Sequence, residues 1–261
     1  MDYFDQLKRP ISLLKTPSRI VSLVPSQTEL LVDLGLEENI VGITKFCVHP
    51  IHLKKQKTIV GGTKQVHFEK IKALSPDIII CNKEENTKEM VAKLETIAPV
   101  WISDIKNISN CIEMISAFGN IFSVEKKAKE INENIQKNLV SFKNSVAKSS
   151  SLKTAYLIWK DPYMAAGKNT FIDELLQLNK FENIFSSRDV RYPEITIEDL
   201  HYAELILLST EPFPFKHIHV EHLKSELGNK KILPVDGEYF SWYGSRLLKT
   251  FDYFKKLQSK I

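Results

Sequence analysis

Short apolar runs alternate with segments of helical periodicity along most of this 261-residue chain. Each run is short enough for one buried strand, and the segments between runs repeat their apolar residues at three- and four-residue spacings. Strands that alternate with helices in this way form parallel βα units, in which the helices cover the faces of a sheet. The alternation therefore predicts an α/β fold with central parallel sheets.

The first half of the chain contains several of these units. We predict strands at residues 19–24, 39–44, 77–82 and 100–103, and helices at residues 26–34, 67–74 and 87–97. Ser26 is a suitable N-cap because Glu29 follows it at the capping-box spacing, and Gly35 ends the same helix. These elements account for one lobe.

The second half repeats the pattern. We predict strands at residues 154–159, 204–209 and 231–235, and helices at residues 170–178, 218–227 and 245–258. Residues 68–80 and 197–207 share a weak internal similarity, with a glutamate in the first turn of a short helix that precedes a strand. Two similar lobes favour a receptor, because ligand sites form preferentially at domain interfaces.

A long polar stretch separates the two halves. Residues 124–147 contain no Gly or Pro, and their sparse apolar residues follow one helical stripe, formed by Ile131, Ile135, Leu139 and Phe142. A helix of this length would extend about 36 Å. We predict two Rossmann-like lobes joined by one long backbone helix, although an ordinary amphipathic surface helix would show the same stripe. The predicted segments are an N-terminal extension at 1–18, lobes at 19–123 and 151–261, and the linking helix at 124–150.

Composition excludes several classes of protein. Lys and Arg number 36 against 32 Asp and Glu, and the charges are interspersed, so we expect no nucleic-acid partner. The three cysteines, Cys47, Cys81 and Cys111, form no CxxC pair, which favours a reducing compartment over a disulfide framework. No HExxH, GxSxG, P-loop or Rossmann glycine pattern occurs, and we expect a binding protein rather than an enzyme.

The N-terminus lacks the pattern of a secretory signal. Asp2 and Asp5 precede the first basic residue, and Lys8, Arg9 and Pro10 interrupt the apolar positions. No stretch approaches the roughly 20 apolar residues of a membrane-spanning helix. If the protein acts outside the cytoplasm, we expect that an export signal has been removed.

Several motifs indicate a known family. They are RIVSLVPSQTE at 19–29, VGIT at 41–44, GGT at 61–63, FEKI at 68–71, LSPD at 74–77, GKNTFID at 167–173, NIF at 183–185 and YPEI at 192–195. Through them the chain, from residue 19 onward, resembles the helical-backbone substrate-binding proteins of ABC importers for vitamin B12, haem and iron chelates. The cobalamin-binding branch looks closest. The resemblance implies a non-enzymatic receptor in the periplasm or at the cell surface, with an ABC permease as partner.

The same resemblance implies the ligand class. We expect a metal chelate, with cobalamin as the first choice, and no cofactor besides that bound ligand. We also expect the protein to be a monomer.

The loop at residues 44–50 is a candidate ligand site. It follows a predicted strand, and open α/β sheets bind ligands at the carboxyl ends of their strands. Cys47 and His49 lie in this loop with His52 nearby, and a thiolate and an imidazole could coordinate cobalt, iron or zinc. No fourth metal ligand is indicated, so the loop could instead simply line a cleft.

Aromatic residues concentrate in the second half, mostly in segments after predicted strands. Trp159, Phe215 and the run EYFSWYG at 238–244 belong to this concentration. Corrins and porphyrins are held by aromatic and apolar faces, although an aromatic residue taken alone is more often part of a core. The predicted ligand-binding residues are Lys45, Phe46, Cys47, His49, Thr63, Tyr163, Met164, Tyr192, Phe213, Tyr239, Trp242 and Tyr243.

The resemblance also assigns a docking role to Glu69 and Glu198. It implies that one surface glutamate on each lobe faces arginines of the permease, and such charge complementarity steers and registers docking. The alternative is that each glutamate only complements the dipole at the start of its helix.

Two other functions stay open on the sequence. One is a cytoplasmic metal- or tetrapyrrole-handling protein or enzyme on the same fold, with Cys47, His49, Tyr163 and Tyr243 as reactive residues. The other is direct binding of a free metal ion by Cys47 and His49 together with a histidine cluster, formed by His217, His219 and His222.

Overall fold

Parallel strands form the framework of the chain. The structure is a computed structural model that describes residues 1–261. Its strands are β1 (Asp2–Phe4), β2 (Pro10–Ser12), β3 (Ile20–Ser22), β4 (Ile40–Ile43), β5 (Thr58–Ile59), β6 (Ile78–Asn82), β7 (Val100–Ser103), β8 (Leu152–Trp159), β9 (Met164–Ala165), β10 (Phe181–Asn183), β11 (Leu205–Ser209) and β12 (Lys231–Val235). Its α-helices are α1 (Pro25–Asp33), α2 (Leu53–Gln56), α3 (Phe68–Ala73), α4 (Lys88–Leu94), α5 (Ile108–Phe122), α6 (Glu125–Ser145), α7 (Phe171–Leu178), α8 (His217–Leu227), α9 (Glu238–Ser241) and α10 (Leu247–Gln258). Short 3-10 helices span Glu37–Asn39 and Glu198–Tyr202.

The chain divides into two compact units. Unit 1 consists of Met1–Ile105, Ser109–Gln136 and Tyr243–Leu248. Unit 2 consists of Lys106–Ile108, Lys137–Trp242 and Lys249–Ile261. The chain therefore passes from unit 1 to unit 2 inside α6, and a short segment after α9 belongs to unit 1 again.

The unit 1 sheet has the strand order β5-β4-β3-β6-β7, and all neighbouring strands are parallel. Ile78, Ile79 and Ile80 of β6 have no exposed surface, so both faces of this strand are buried. Burial on both faces explains why the strands are continuous apolar runs rather than alternating ones.

The unit 2 sheet has the order β10-β8-β11-β12, again parallel, and β9 pairs antiparallel with β8. Every residue of β11 is buried. α7 is capped by Thr170, whose Oγ1 accepts a hydrogen bond from the backbone N of Asp173 at 3.0 Å. The parallel sheets and their helices confirm the predicted α/β fold.

α6 lies within the polar stretch at 124–147 and carries the predicted apolar stripe. Ile131, Ile135 and Phe142 are buried, and Leu139 is half-buried. Within unit 2, the Phe142 ring packs against those of Phe251 and Phe254 from α10, with centroid distances of 5.8 and 5.7 Å, so the stripe of α6 is a packing face.

Gly119 of α5 permits a close approach to α6 within unit 1. A Cβ at this position would lie 2.7 Å from the Ala128 Cβ, so a larger residue would push the two helices apart. None of the helices combines the length and the apolar character needed to cross a membrane.

Three elements differ from the sequence-based expectations. α1 begins at Pro25 with Val24 at the N-cap and no side-chain cap bond, so Ser26 is not the cap; Pro25 has the fixed φ suited to the first turn. α5 is absent from the predicted helices. Residues 1–18 belong to unit 1, where β1 and β2 form an antiparallel hairpin.

Candidate functional site

The loop after β4 presents an aromatic ring at the carboxyl edge of the unit 1 sheet. The Lys45 N donates a hydrogen bond to Gly61 O at 2.8 Å, which fixes this loop against the chain after β5. Phe46 is 48% exposed, and Lys45 Nζ lies 5.1 Å from its ring centroid. A Cβ at Gly62 would be 3.2 Å from the Phe46 ring. Phe46 thus offers an exposed face with a cation beside it.

Cys47 points into the interior of the same loop. Its Sγ lies 3.2 Å from Thr28 Oγ1 and 3.3 Å from Thr44 Oγ1, and the residue has no exposed surface. Burial raises the pKa of the Cys47 thiol, although both hydroxyls oppose the rise. The thiolate that coordinates metals is therefore disfavoured, and the thiol serves as a contact that holds the loop.

His49, two residues after Cys47 in the same loop, is half-buried. No three side chains of His, Cys, Asp or Glu come close enough together in residues 1–261 to hold a metal ion. The structure therefore gives no support to a free-metal site at Cys47 and His49 or in the cluster of His217, His219 and His222.

Thr63 lies where the loops after β5 and β6 meet. Its carbonyl oxygen accepts a hydrogen bond from Asn86 Nδ2 at 2.8 Å, and the residue is half-buried. The turn before it requires glycine, because Gly61 has a φ of +130° and a Cβ there would be 2.5 Å from Gln65 O. The predicted residues Lys45, Phe46 and Thr63 therefore share one edge of the unit 1 sheet.

Tyr243 is buried in unit 1 at 6% exposure. Its Oη accepts a hydrogen bond from Gln27 Nε2 at 3.0 Å, and the same nitrogen lies 2.5 Å from Ser103 Oγ. Burial raises the pKa of Tyr243 far above its usual value. A buried phenol of this kind is a poor nucleophile, so Tyr243 is a structural residue in the interior of unit 1.

Aromatic rings cluster at the carboxyl edge of the unit 2 sheet. Trp159, the last residue of β8, is 40% exposed and packs edge-on against Phe213 with a centroid distance of 5.7 Å. Phe213 follows β11 and packs against Phe215 at 4.8 Å. The predicted ligand residues include Phe213 but omit Trp159. The aromatic side chain of Trp159 and its position at the end of a strand could have indicated a role at this edge.

Tyr163 and Met164 lie at the end of the short connection from β8 to β9. Both are half-buried, and the Tyr163 ring packs against the core of unit 2. The Tyr163 hydroxyl is buried and has no hydrogen-bond partner, and burial raises its pKa. Tyr163 therefore presents its ring, and not its hydroxyl, as a possible contact surface.

Tyr192 lies on a loop that runs alongside β9. Ala165 N donates to Pro193 O at 3.0 Å, and Gly167 N donates to Arg191 O at 2.7 Å. These main-chain bonds on both sides of Tyr192 give this half-buried residue a defined position.

The segment after β12 carries the last two predicted aromatics. Tyr239 is stacked on Tyr253 with a centroid distance of 4.4 Å and an interplanar angle of 11°. Trp242 is only 7% exposed, and its side chain donates a hydrogen bond to Glu211. The Trp242 side chain is therefore packed within unit 2 and has little exposed surface, unlike that of Trp159.

Glu69 and Glu198 are both exposed at the starts of short helical turns. The Glu198 backbone N–H and the Thr196 hydroxyl lower the pKa of the Glu198 carboxyl, so it is ionised at neutral pH. The docking role stays a prediction, and so does the ligand set as a whole.

Comparison with known proteins places the chain in a family. The profile of the family described as periplasmic binding protein matches residues 20–205. The uncharacterized ABC transporter substrate-binding lipoprotein YvrC of Bacillus subtilis (strain 168) is 26% identical over 187 residues, which are 69% of this chain and 59% of that protein. The chain thus spans less than two thirds of the length of that relative.

A second relative agrees with this assignment, and a solved structure shares the fold of the chain. The vitamin B12-binding protein of Yersinia pestis (strain Pestoides F) is 25% identical over 195 residues, 73% of this chain and 69% of that protein. The crystal structure of the periplasmic vitamin B12 binding protein BtuF of Vibrio cholerae has the same fold, with a TM-score of 0.79, 20% identity and coverage of 94% of this chain and 99% of that one. The chain therefore belongs to the periplasmic binding protein family, whose members are binding proteins rather than enzymes.

Proposed function

We propose that this protein is the substrate-binding component of an ABC importer and that its ligand is a metal chelate, with cobalamin as the first candidate. The relatives from Bacillus and Yersinia support this role through their similarity in sequence. The predicted location, the periplasm or the cell surface, belongs to this proposal, and the Bacillus relative supports it because that relative is a substrate-binding lipoprotein. The predicted permease contact, through Glu69 and Glu198, belongs to this proposal as well.

The observation that carries the proposal is the aromatic cluster of Trp159, Phe213 and Phe215 in unit 2. It lies where β8 and β11 end, at the edge where open α/β sheets bind ligands. Flat, largely apolar ligands gain most of their affinity from contact with such ring faces. Trp159, at 40% exposure, provides the exposed ring, whereas Phe215 is 4% exposed and Phe213 is half-buried against the core of unit 2.

Unit 1, taken by itself, also has an aromatic ring at the carboxyl edge of its sheet. Phe46 offers a second exposed ring, and the Lys45 ammonium group lies beside it. A cation next to an apolar surface suits a ligand that combines a ring system with acidic or amide side groups. Cobalamin, haem and many ferric siderophores all have this combination.

Isothermal titration of the purified chain with cobalamin, haem and a ferric siderophore tests the proposal. We expect binding of cobalamin at micromolar concentration or tighter. Binding of haem or the siderophore alone would replace cobalamin as the ligand and keep the receptor role. If none of the three binds at that concentration, the receptor role is wrong, and the cytoplasmic alternative becomes the better hypothesis.

A further inference from the structure

The turns at the amino ends of the unit 2 strands form one surface with the end of α10. Leu152 N, at the start of β8, donates a hydrogen bond at 3.0 Å to Lys180 O, directly before β10. The end of α10 packs on the same turn, because Gln258 Nε2 donates to Asn179 O at 2.8 Å. These contacts bring the starts of β8 and β10 and the last turn of α10 to one side of unit 2.

The starts of β11 and β12 belong to the same surface. Glu204 N, directly before β11, donates to Lys153 O of β8 at 2.7 Å. Lys231 Nζ, at the start of β12, donates to the carbonyl oxygen of Ile261 beyond α10 at 2.6 Å. We call this surface the amino edge of unit 2, because all four parallel strands begin there.

The amino edge of unit 2 is strongly basic. Its lysines are Lys148, Lys153, Lys180, Lys230, Lys231, Lys256 and Lys260. Its acidic residues are Glu182, Glu204 and Glu226. The lysines outnumber the glutamates by four, and the whole chain has a net charge of +4. The positive charge of the protein is therefore concentrated at this edge, and the rest of the chain is balanced.

Most of these lysines are free to meet a partner. Lys148, Lys180, Lys256 and Lys260 are exposed, and none of the four forms an ion pair. Lys153 is exposed too, although Glu182 is its neighbour in the register of β8 and β10. Unpaired ammonium groups on one edge produce a positive potential that attracts an anionic surface.

The amino edge of the unit 1 sheet lacks this bias. Arg19 and Lys57 directly precede β3 and β5, whereas Glu38 and Asp77 lie before β4 and β6. Charges of both signs thus alternate along that edge. The basic edge of unit 2 is therefore not a general property of strand starts in this fold.

We propose that the amino edge of unit 2 binds the surface of an anionic phospholipid bilayer. The choice of a bilayer follows from the charge of the edge and from the location at the cell surface, so it rests on that part of the proposed function. Each lysine close to an anionic bilayer strengthens binding about fivefold, and clusters of about four to eight basic residues are enough to hold a protein there. The four unpaired lysines meet this requirement.

Binding through this edge determines which part of unit 2 faces the solution. Trp159 is the last residue of β8, and a strand of this length spans about 26 Å. The aromatic cluster therefore lies at the opposite end of the sheet from the amino edge. With the amino edge on the bilayer, the candidate ligand surface of unit 2 is open to an arriving ligand.

Sedimentation with vesicles, in the absence of cobalamin, tests the proposal. The wild type should bind vesicles of phosphatidylcholine and phosphatidylglycerol in about equal amounts, and not vesicles of phosphatidylcholine alone. Binding should disappear at about 1 M salt, because exposed charges are then screened within about 3 Å. Failure to bind the anionic vesicles, or equal binding to the neutral ones, overturns the proposal.

A triple variant and a matched control test the edge itself. Lys180→Gln, Lys256→Gln and Lys260→Gln together should weaken vesicle binding about a hundredfold, because each lysine contributes about fivefold. The control removes the same charge from exposed lysines of unit 1, through Lys54→Gln, Lys88→Gln and Lys126→Gln, and should bind as the wild type. An equal loss in both triple variants would show an effect of net charge alone and overturns the proposal. Lys260→Gln alone should cost about fivefold, which keeps the test decisive if the triple variant does not fold.

A fluorescent label tests the orientation. The three native cysteines are buried, so an environment-sensitive dye would react with an introduced one. The emission of a dye at Ser259→Cys, an exposed position at the amino edge, should shift when vesicles are added. A dye at Pro214→Cys, an exposed position between Phe213 and Phe215, should show no shift. The opposite result overturns the assignment of the edge.

The two proposals fail separately. If isothermal titration shows that none of the chelates binds, the receptor role is wrong, and the vesicle measurements still judge the amino edge of unit 2. If cobalamin binds but the anionic vesicles do not, the receptor role stands and the bilayer surface is refuted.

Discussion

Arg246 Nε lies 2.9 Å from Glu29 Oε2, and both side chains are more than nine-tenths buried. Glu29 belongs to α1, whereas Arg246 lies in the Tyr243–Leu248 segment that the chain contributes to unit 1 after leaving unit 2. Gly244 N adds a hydrogen bond to Cys111 Sγ at 3.0 Å. The ion pair therefore anchors a late segment of the chain inside a unit built mainly from early residues.

The first prediction concerns this ion pair. Arg246→Ala should lower the free energy of unfolding by about 3 to 5 kcal/mol, because it removes the charge opposite a buried carboxylate. Urea denaturation followed by circular dichroism measures the change. The control is Lys129→Ala, which breaks an exposed pair with Glu133 at 3.8 Å and should cost below about 1 kcal/mol. Equal losses in the two variants would contradict the prediction.

Tyr163 allows a test of whether its hydroxyl has a function. Because this hydroxyl is buried without a partner, Tyr163→Phe should leave the free energy of unfolding unchanged or raise it by about 1 kcal/mol. Cobalamin affinity should also stay the same. In the control, Tyr156→Phe removes the bond to Ser209 Oγ and should cost about 1 kcal/mol or more. Weaker ligand binding by Tyr163→Phe would show that the hydroxyl contacts the ligand.

Elements with strong local patterns could be predicted from the sequence. The strand at Ile78–Asn82 could be predicted because burial on both faces produces a continuous apolar run in the sequence. The stripe of α6 could be predicted because burial on one helical face places apolar residues at helical spacing. α5 has the same kind of pattern, since its buried residues recur at helical spacing from Ile108 to Phe122. The predicted elements include none at residues 104–123, although the apolar residues of this segment follow the helical spacing of α5.

The depth of individual site residues could not be predicted. Tyr243 is buried because Gln27, 216 residues away in the chain, meets it in the interior of unit 1. Cys47 is buried, and its Sγ meets Thr28 Oγ1 of α1 at 3.2 Å. Such contacts depend on how distant segments pack, and a single sequence does not record them. The aromatic content of the candidate edge was visible, but the difference in exposure between Trp159 and Trp242 was not.

Asp77 gives a prediction about pH. Burial alone would raise the pKa of its carboxyl, but hydrogen bonds from the Ser18 N–H and hydroxyl and from the Arg19 N–H outweigh this and lower it. A lowered pKa in the folded state gives stability that is present above the unfolded pKa and is lost as the pH falls through the folded pKa.

Asp77→Asn should therefore lower the free energy of unfolding at neutral pH by about 1 kcal/mol and have less effect near about pH 3. Urea denaturation at the two pH values measures the difference. Asp33→Asn, at an exposed position at the end of α1, should show no such dependence. A loss for Asp77→Asn that is the same at both pH values would contradict the assigned role of its ionised form.

The two tryptophans at the unit 2 edge should respond differently to truncation. Trp159→Ala should weaken cobalamin binding by about 1 to 3 kcal/mol and change stability little, because its ring is partly exposed. Trp242→Ala should weaken binding and also lower the free energy of unfolding by about 3 to 5 kcal/mol, because its ring is buried. Titration calorimetry and urea denaturation separate the two effects. A Trp159→Ala variant that binds like the wild type would remove the aromatic cluster from the ligand site.

The last prediction separates ligand binding from permease docking. Glu69→Lys and Glu198→Lys reverse charges on exposed side chains in units 1 and 2, so cobalamin affinity should stay the same. Stimulation of ATP hydrolysis by a vitamin B12 permease in liposomes should require about tenfold more of each variant, and the difference should shrink at high salt, because charges steer such encounters. Glu182→Lys, equally exposed, should behave as the wild type. If Glu182→Lys loses as much stimulation, the effect comes from net charge, and the two glutamates have no docking role.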